Sequence, residues 1–215
     1  DYLCFDTTNA IVYNEVAELV LNTLQTYQNQ GFKVPKAMFY VNSNTGTTAR
    51  KIYNAFYQTE KYDDIWFSPN GKPMICGITS DNRGASDQVL ANPDYSDVFP
   101  DSIAERFDLR ESQWPQGSIE HENALPWMSW KYPQSIHPNL KAISVSVAQN
   151  SGMHMSDSVQ FENSPNGIDY YNKNWGRGYT DEGKNSKDRV DEGANFQEQW
   201  DVAMRSDARI VFLLE

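Results

Sequence analysis

The chain has 215 residues and a net charge of −11, with 18 basic residues set against 29 acidic ones and 13% aromatics. The length suits one domain with a sizeable core, read as a single unit over residues 1–215. The basic residues are scattered, with only Arg50 and Lys51 adjacent, which leaves no phosphate-neutralising stripe of a nucleic-acid binder, and no run nears the roughly 18 apolar residues of a membrane span.

Asp1–Phe5 is an apolar run that ends in the polar cluster Asp6, Thr7, Thr8 and Asn9, the pattern of a parallel strand entering a βα turn. Residues 13–30 read as a helix with Val16, Leu19, Val20, Leu24 and Tyr27 as its apolar face, closed by Gly31. Lys36–Val41 is the second strand, with Asn42 and Ser43 at its tip. A helix over 47–58 follows, with Ile52, Tyr53 and Phe56 as its inner face. Strand, polar tip and helix, repeated, is the parallel βαβ rhythm.

Ile65–Phe67 reads as a short strand, Asn70-Gly71 as a tight turn, and Lys72–Ile78 as a third core strand. Residues 84–99 are polar and rich in turn formers. Residues 107–114 alternate apolar and polar side chains and form the expected fourth strand, with Arg110, Glu111 and Gln113 toward its far end. The stretch 115–139 reads as a long loop carrying Trp127, Trp130 and four prolines, the kind of segment that serves as a lid or binding wall. Leu140–Ala148 is the fifth strand, tipped by Gln149 and Asn150. After a polar region over 151–193, a helix over 196–204 leads into a sixth strand, 209–214. Six such strands point to an α/β fold of the (β/α)8 type, incomplete here because a full barrel takes about 250 residues. An open doubly wound sheet is the alternative, and the first βα turn lacks the glycine fingerprint of a dinucleotide site. The abrupt ends suggest a segment of a longer domain.

Carboxylates at the C-terminal ends of barrel strands lie where such barrels place their chemistry. Asp6 and Glu111 are therefore the catalytic candidates. Glycoside hydrolysis needs two carboxyl groups about 5 to 9.5 Å apart, one on each side of the scissile bond. Asp6 can equally cap its own turn through the Asp-Thr-Thr-Asn cluster. Arg110 and Glu111 can equally form a salt-bridged neighbourhood whose work is structural, and strand alternation forbids both from facing the barrel axis unless the strand has ended. The substrate-binding candidates are Asn9, Asn42, Arg110, Gln113, Gln149 and Asn150, with Trp66, Trp114, Trp127 and Trp130 as flat apolar platforms suited to sugar rings. His121, His137 and His154 form no compact ligand pattern, so no metal and no cofactor is expected. The turn over 42–48 could hold an anion on its amides but lacks the Gly-Lys-Ser/Thr close of a P-loop, so an ordinary βα turn is the reading. Cys4 and Cys76 lie in apolar strand runs as small hydrophobes.

Three segments together resemble the barrel glycoside hydrolases related to endo-α-mannosidases and α-1,3-glucanases: Asp1–Asn9, then Trp66–Phe67 with Gly71–Ile75, and Asn195–Trp200 leading into Ile210–Leu214. The resemblance implies a (β/α)8 fold, metal-independent cleavage of a polysaccharide or glycan by carboxylates, and an active-site position for Asp6. In the family pattern the last strand runs into a Trp-Asn-Glu-Trp-like segment, and this chain ends at Glu215 where that segment would begin. A secreted or periplasmic location is expected with such a substrate. The rival is a catalytically silent carbohydrate-binding barrel that keeps the aromatic wall without a competent carboxylate pair.

Overall fold

The computed structural model describes residues 1–79, 97–113, 122–127, 134, 136–139, 141–147 and 192–214. The fold is mixed α/β, and the chain divides into two compact units, Asp1–Ser112 and Gln113–Glu215. In the first unit, β1 (Tyr2–Thr7), β2 (Lys36–Val41), β3 (Met74–Gly77) and β4 (Asp108–Gln113) lie side by side in chain order, every pairing parallel. Helix α1 (Asn14–Asn29) connects β1 to β2, and α2 (Thr45–Ile52) runs on into a π-helical turn, Tyr53–Tyr57, before β3. A short helix, α3 (Asp101–Ala104), precedes β4.

Register assigns the two faces of this sheet. Leu3, Phe5 and Thr7 pair with Ala37, Phe39 and Val41, while Ile75 pairs with both Phe39 and Leu109. Because side chains alternate along a strand, these residues share one face. It is the helix face: Ala37, Phe39, Val41 and Ile75 form one core with Leu21 and Leu24 of α1 and with Ile52, Phe56 and Tyr57. Phe39 stacks on Phe5 at 4.8 Å and on Phe56 at 5.5 Å, and Tyr57 stacks on Trp66 at 4.0 Å. The opposite face carries Met38, Tyr40, Met74 and Cys76, all fully buried as well. With both faces covered, β2 reads as a continuous apolar run, as strands of a parallel sheet do.

The helix over 13–30 forms as expected, and Gly31 takes the left-handed φ of +88° just past its end. Its buried face overlaps the expected one only at Leu24 and, partly buried, Val20. Ala17, Leu21 and Leu24 point into the core, whereas Val16, Leu19 and Tyr27 are exposed, Leu19 at 68%. Apolar residues cover more than one stripe of α1, and the stripe through Ala17, Leu21 and Leu24 is the one that joins the core of the sheet. The turn at Gly71 is present, with φ +84° and a Gly71 N–H to Ser68 carbonyl bond of 3.1 Å. Ile65–Phe67 makes a single parallel bridge from Trp66 to Ala37 and not a strand.

In the second unit β6 (Ala142–Ser146) and β7 (Ile210–Leu214) pair in parallel, with α4 (Ala194–Arg205) preceding β7. Ile143, Val145 and Ala203 make its described core, and Phe196 and Trp200 pack against it. The stretch expected as one loop over 115–139 contains β5 (Ala124–Pro126). Three residues ending in proline are too short for a pattern to reveal. Among the described residues no helix is long and apolar enough to cross a membrane.

Candidate functional site

One group of polar residues of the first unit lies toward the C-terminal ends of its strands. Asp6, next to last in β1, is exposed, and its Oδ1 accepts bonds from the Thr8 amide at 2.9 Å and the Thr8 hydroxyl at 2.7 Å. Its carboxylate therefore closes the turn that follows β1, an Asx turn of the kind the Asp-Thr-Thr-Asn cluster favours. Asn9 behaves likewise, its Oδ1 accepting from the Ile11 amide at 3.2 Å.

Asn42 follows β2 directly and is buried. Ser112 Oγ donates to Asn42 Oδ1 at 2.7 Å, linking the tips of β4 and β2 across the intervening β3. Thr45 Oγ1 donates to the Asn42 carbonyl at 2.7 Å and accepts from the Ile78 amide at 3.4 Å. The turn between β2 and α2 is thus tied to the end of β3 through one hydroxyl. Thr7 Oγ1 closes the same layer with a 2.8 Å bond to the Tyr40 carbonyl.

β4 continues through Gln113, so Arg110 and Glu111 point to opposite faces of the sheet. Arg110 pairs in register with Cys76 and shares the face of Tyr40, Asp6 and Ser112, whereas Glu111 pairs with Gly77 and shares the helix face with Leu109. Arg110 is ion-paired along its own strand: its Nη2 lies 2.7 Å from Asp108 Oδ1, with both side chains largely buried. Asn70 Nδ2 donates to the other Asp108 oxygen at 2.8 Å. Glu111, 2% exposed, accepts the Thr79 amide on Oε2 at 3.2 Å. Asp6 and Glu111 are therefore not a facing pair on one side of the sheet. Asp6 shares its face with Asn42, Arg110 and Ser112.

Trp66, expected on a sugar-facing surface, is 2% exposed at the start of β2, with one ring face stacked on Tyr57 and an edge contact to Tyr62. It is a core residue, at the end of the sheet away from Asp6 and Asn42. Trp127 is half-buried beside Phe212, ring centroids 6.2 Å apart. Gln113 belongs to β4. Trp114, Trp130, Gln149 and Asn150 lie outside the described residues.

Burial pushes the Cys76 thiol well above its ordinary range, so it sits in the sheet as a neutral hydrophobe. Among the described residues no group of three or more His, Cys, Asp or Glu side chains is placed to hold a metal ion. Sequence reasoning missed Thr45, Ser112 and Asp97, whose partners are distant in the chain, and also Gln199. The Gln199 side-chain amide bonds both backbone groups of Ser146, at 2.9 Å each, and so finishes β6 as an added strand residue would. Comparison with protein-family models, curated proteins and solved structures finds no match to this chain.

Proposed function

We propose that the chain is a carbohydrate-active domain of the barrel glycosidase type, which receives a polysaccharide or glycan at the C-terminal ends of its parallel strands. The observation that carries this reading is the polar layer at those ends, Asp6, Asn42, Arg110 and Ser112 on one face of β1, β2 and β4. Strand order supports the barrel form. A doubly wound sheet reverses direction at a switch point and puts helices on both faces. Here β1 to β4 follow one another in chain order, and α1 and α2 share one face.

In this reading Asp6 is the carboxylate on the glycan side. Its turn bonds use Oδ1 alone among the contacts made to Thr8, and the carboxylate remains at the surface, where an acid, base or nucleophile has to be. Glu111 holds the end of β3 in place. A second reading, glycan binding without turnover, is favoured by one specific observation, the placement of Asp6 and Glu111 on opposite faces.

A reducing-sugar release assay with α-linked glucans and mannans, run beside oligosaccharide titration, tests both. Hydrolysis predicts release that falls by about 100-fold or more in Asp6→Asn, with binding retained. Binding with no release in the unaltered protein selects the second reading. Release at full rate in Asp6→Asn removes Asp6 from the site.

A further inference from the structure

We propose that Asp97 is a positioning residue: its carboxylate sits on the amino-terminal amides of α2 and fixes a strap, Asp97–Phe99, that sets the end of β3 and with it the Glu111 carboxylate. The first turn of a helix leaves backbone amides without partners and carries partial positive charge. The residue before α2, Asn44, is held in the left-handed region at φ 46° and makes no side-chain cap. The cap comes instead from Asp97. Its Oδ2 accepts the Thr47 amide at 2.7 Å, and its carbonyl accepts the Gly46 amide at 3.0 Å.

Gly46 shows how closely the strap is fitted. A Cβ at that position would lie 2.3 Å from Asp97 Oδ1 and 2.5 Å from the Val98 carbonyl oxygen, so no larger residue leaves the strap where it is. One residue further on, the Phe99 amide donates to the Ile78 carbonyl at 2.7 Å. The Phe99 ring is buried, meets Phe107 edge-on at 5.8 Å, and would lie 2.9 Å from a Cβ on Gly77. The strap therefore holds the end of β3 through the Ile78 carbonyl, while Thr45 holds it through the Ile78 amide. The next amide, Thr79, is the one donated to Glu111. Asp97 acts on Glu111 through Phe99, Ile78 and Thr79 without touching it.

The inference stands on these contacts and does not require the glycan reading, and its test is made without sugar. Amide hydrogen exchange would be followed in the unaltered chain, in Asp97→Ala and Asp97→Asn, and in Gly46→Ala. Asp97→Ala should speed exchange at Thr47, Phe99 and Thr79 by about tenfold, the size of a lost helix cap, and leave Leu21 and Leu24 of α1 unchanged. Asp97→Asn keeps an acceptor oxygen and should show a smaller effect at the same amides. Gly46→Ala should reproduce the Asp97→Ala pattern by displacing the strap from the other side; if it fails to fold, the two Asp97 variants decide alone. Faster exchange at Thr47 with Thr79 unchanged would overturn the proposal, because the cap would then not reach Glu111. Equal acceleration at Leu21 and Leu24 would overturn it too, as that is loss of global stability and not positioning.

Discussion

The tips of β1 and β4 carry the same chemical group in contrasting circumstances. Asp6 stands at the surface and is bonded by Thr8, two residues away. Glu111 is buried and bonded by Thr79, thirty-two residues away. Parity also separates them: Asp6 alternates onto the face of Tyr40 and Arg110, and Glu111 onto the face of Leu109. A carboxylate with a local partner can leave its hydrogen bonds for a ligand at small cost, because water replaces them. One whose partner follows another strand holds two elements together. Similar position at a strand end therefore says little about role until the face is known.

The contrast can be strained hardest at Arg110, which neighbours Glu111 in the chain but lies on Asp6's face. Its ion pair with Asp108 is largely buried, side chains 10% and 13% exposed. Arg110→Met would leave the Asp108 carboxylate without its cation, and breaking a buried pair from one side costs about 3 to 5 kcal/mol. The lower end is expected, since Asn70 still donates to Asp108. Urea denaturation reads the change directly. A loss below about 1 kcal/mol, the range of a solvent-exposed pair, would mean that Asp108 escapes to water and that the face is open there.

Glu111→Ala comes next. It leaves the half-buried Thr79 amide without this acceptor, a penalty of about 1 to 3 kcal/mol at most. Glu111→Gln retains an oxygen for that amide and should cost less than the alanine variant. If both variants melt with the unaltered protein, the Thr79 bond contributes nothing and Glu111 rejoins Asp6 as a candidate for chemistry.

Much of the fold was readable because its signals are local. The strand Lys36–Val41, the Asn70-Gly71 turn, the glycine stop at Gly31 and the strand 210–214 each rest on a few adjacent residues. What escaped depends on neighbours far along the chain. Val16, Leu19 and Tyr27 share helical spacing with Leu24 as well as Ala17 and Leu21 do, and only the sheet that α1 packs on selects Ala17, Leu21 and Leu24. Trp66 looks like a stacking platform until Tyr57 and Tyr62 are seen to take up its surfaces. Asp97 lies 50 residues from the amide it caps, and Ser112 lies 70 from Asn42. Both are unremarkable polar residues in sequence. Glu111 was legible as a strand-end carboxylate, but its face depended on whether β4 continues past it, and β4 runs on to Gln113.

The smallest stability effect is expected at Asp6, and its smallness is what gives it diagnostic value. In Asp6→Ala the Thr8 amide and hydroxyl lose a shared acceptor, but the site is exposed and water takes the vacated positions. The net cost of such a bond is about 0.5 to 1.5 kcal/mol. Asp6→Asn keeps the Oδ1 acceptor and changes only the charge, so its melting curve should overlay that of the unaltered protein. Any loss of glycan processing in Asp6→Asn would then belong to the missing charge and not to a disturbed fold. Should Asp6→Ala instead cost as much as Glu111→Ala under the same denaturation conditions, the two tips would be doing the same structural work, and the distinction between a turn-closing surface carboxylate and a strand-locking buried one would fail.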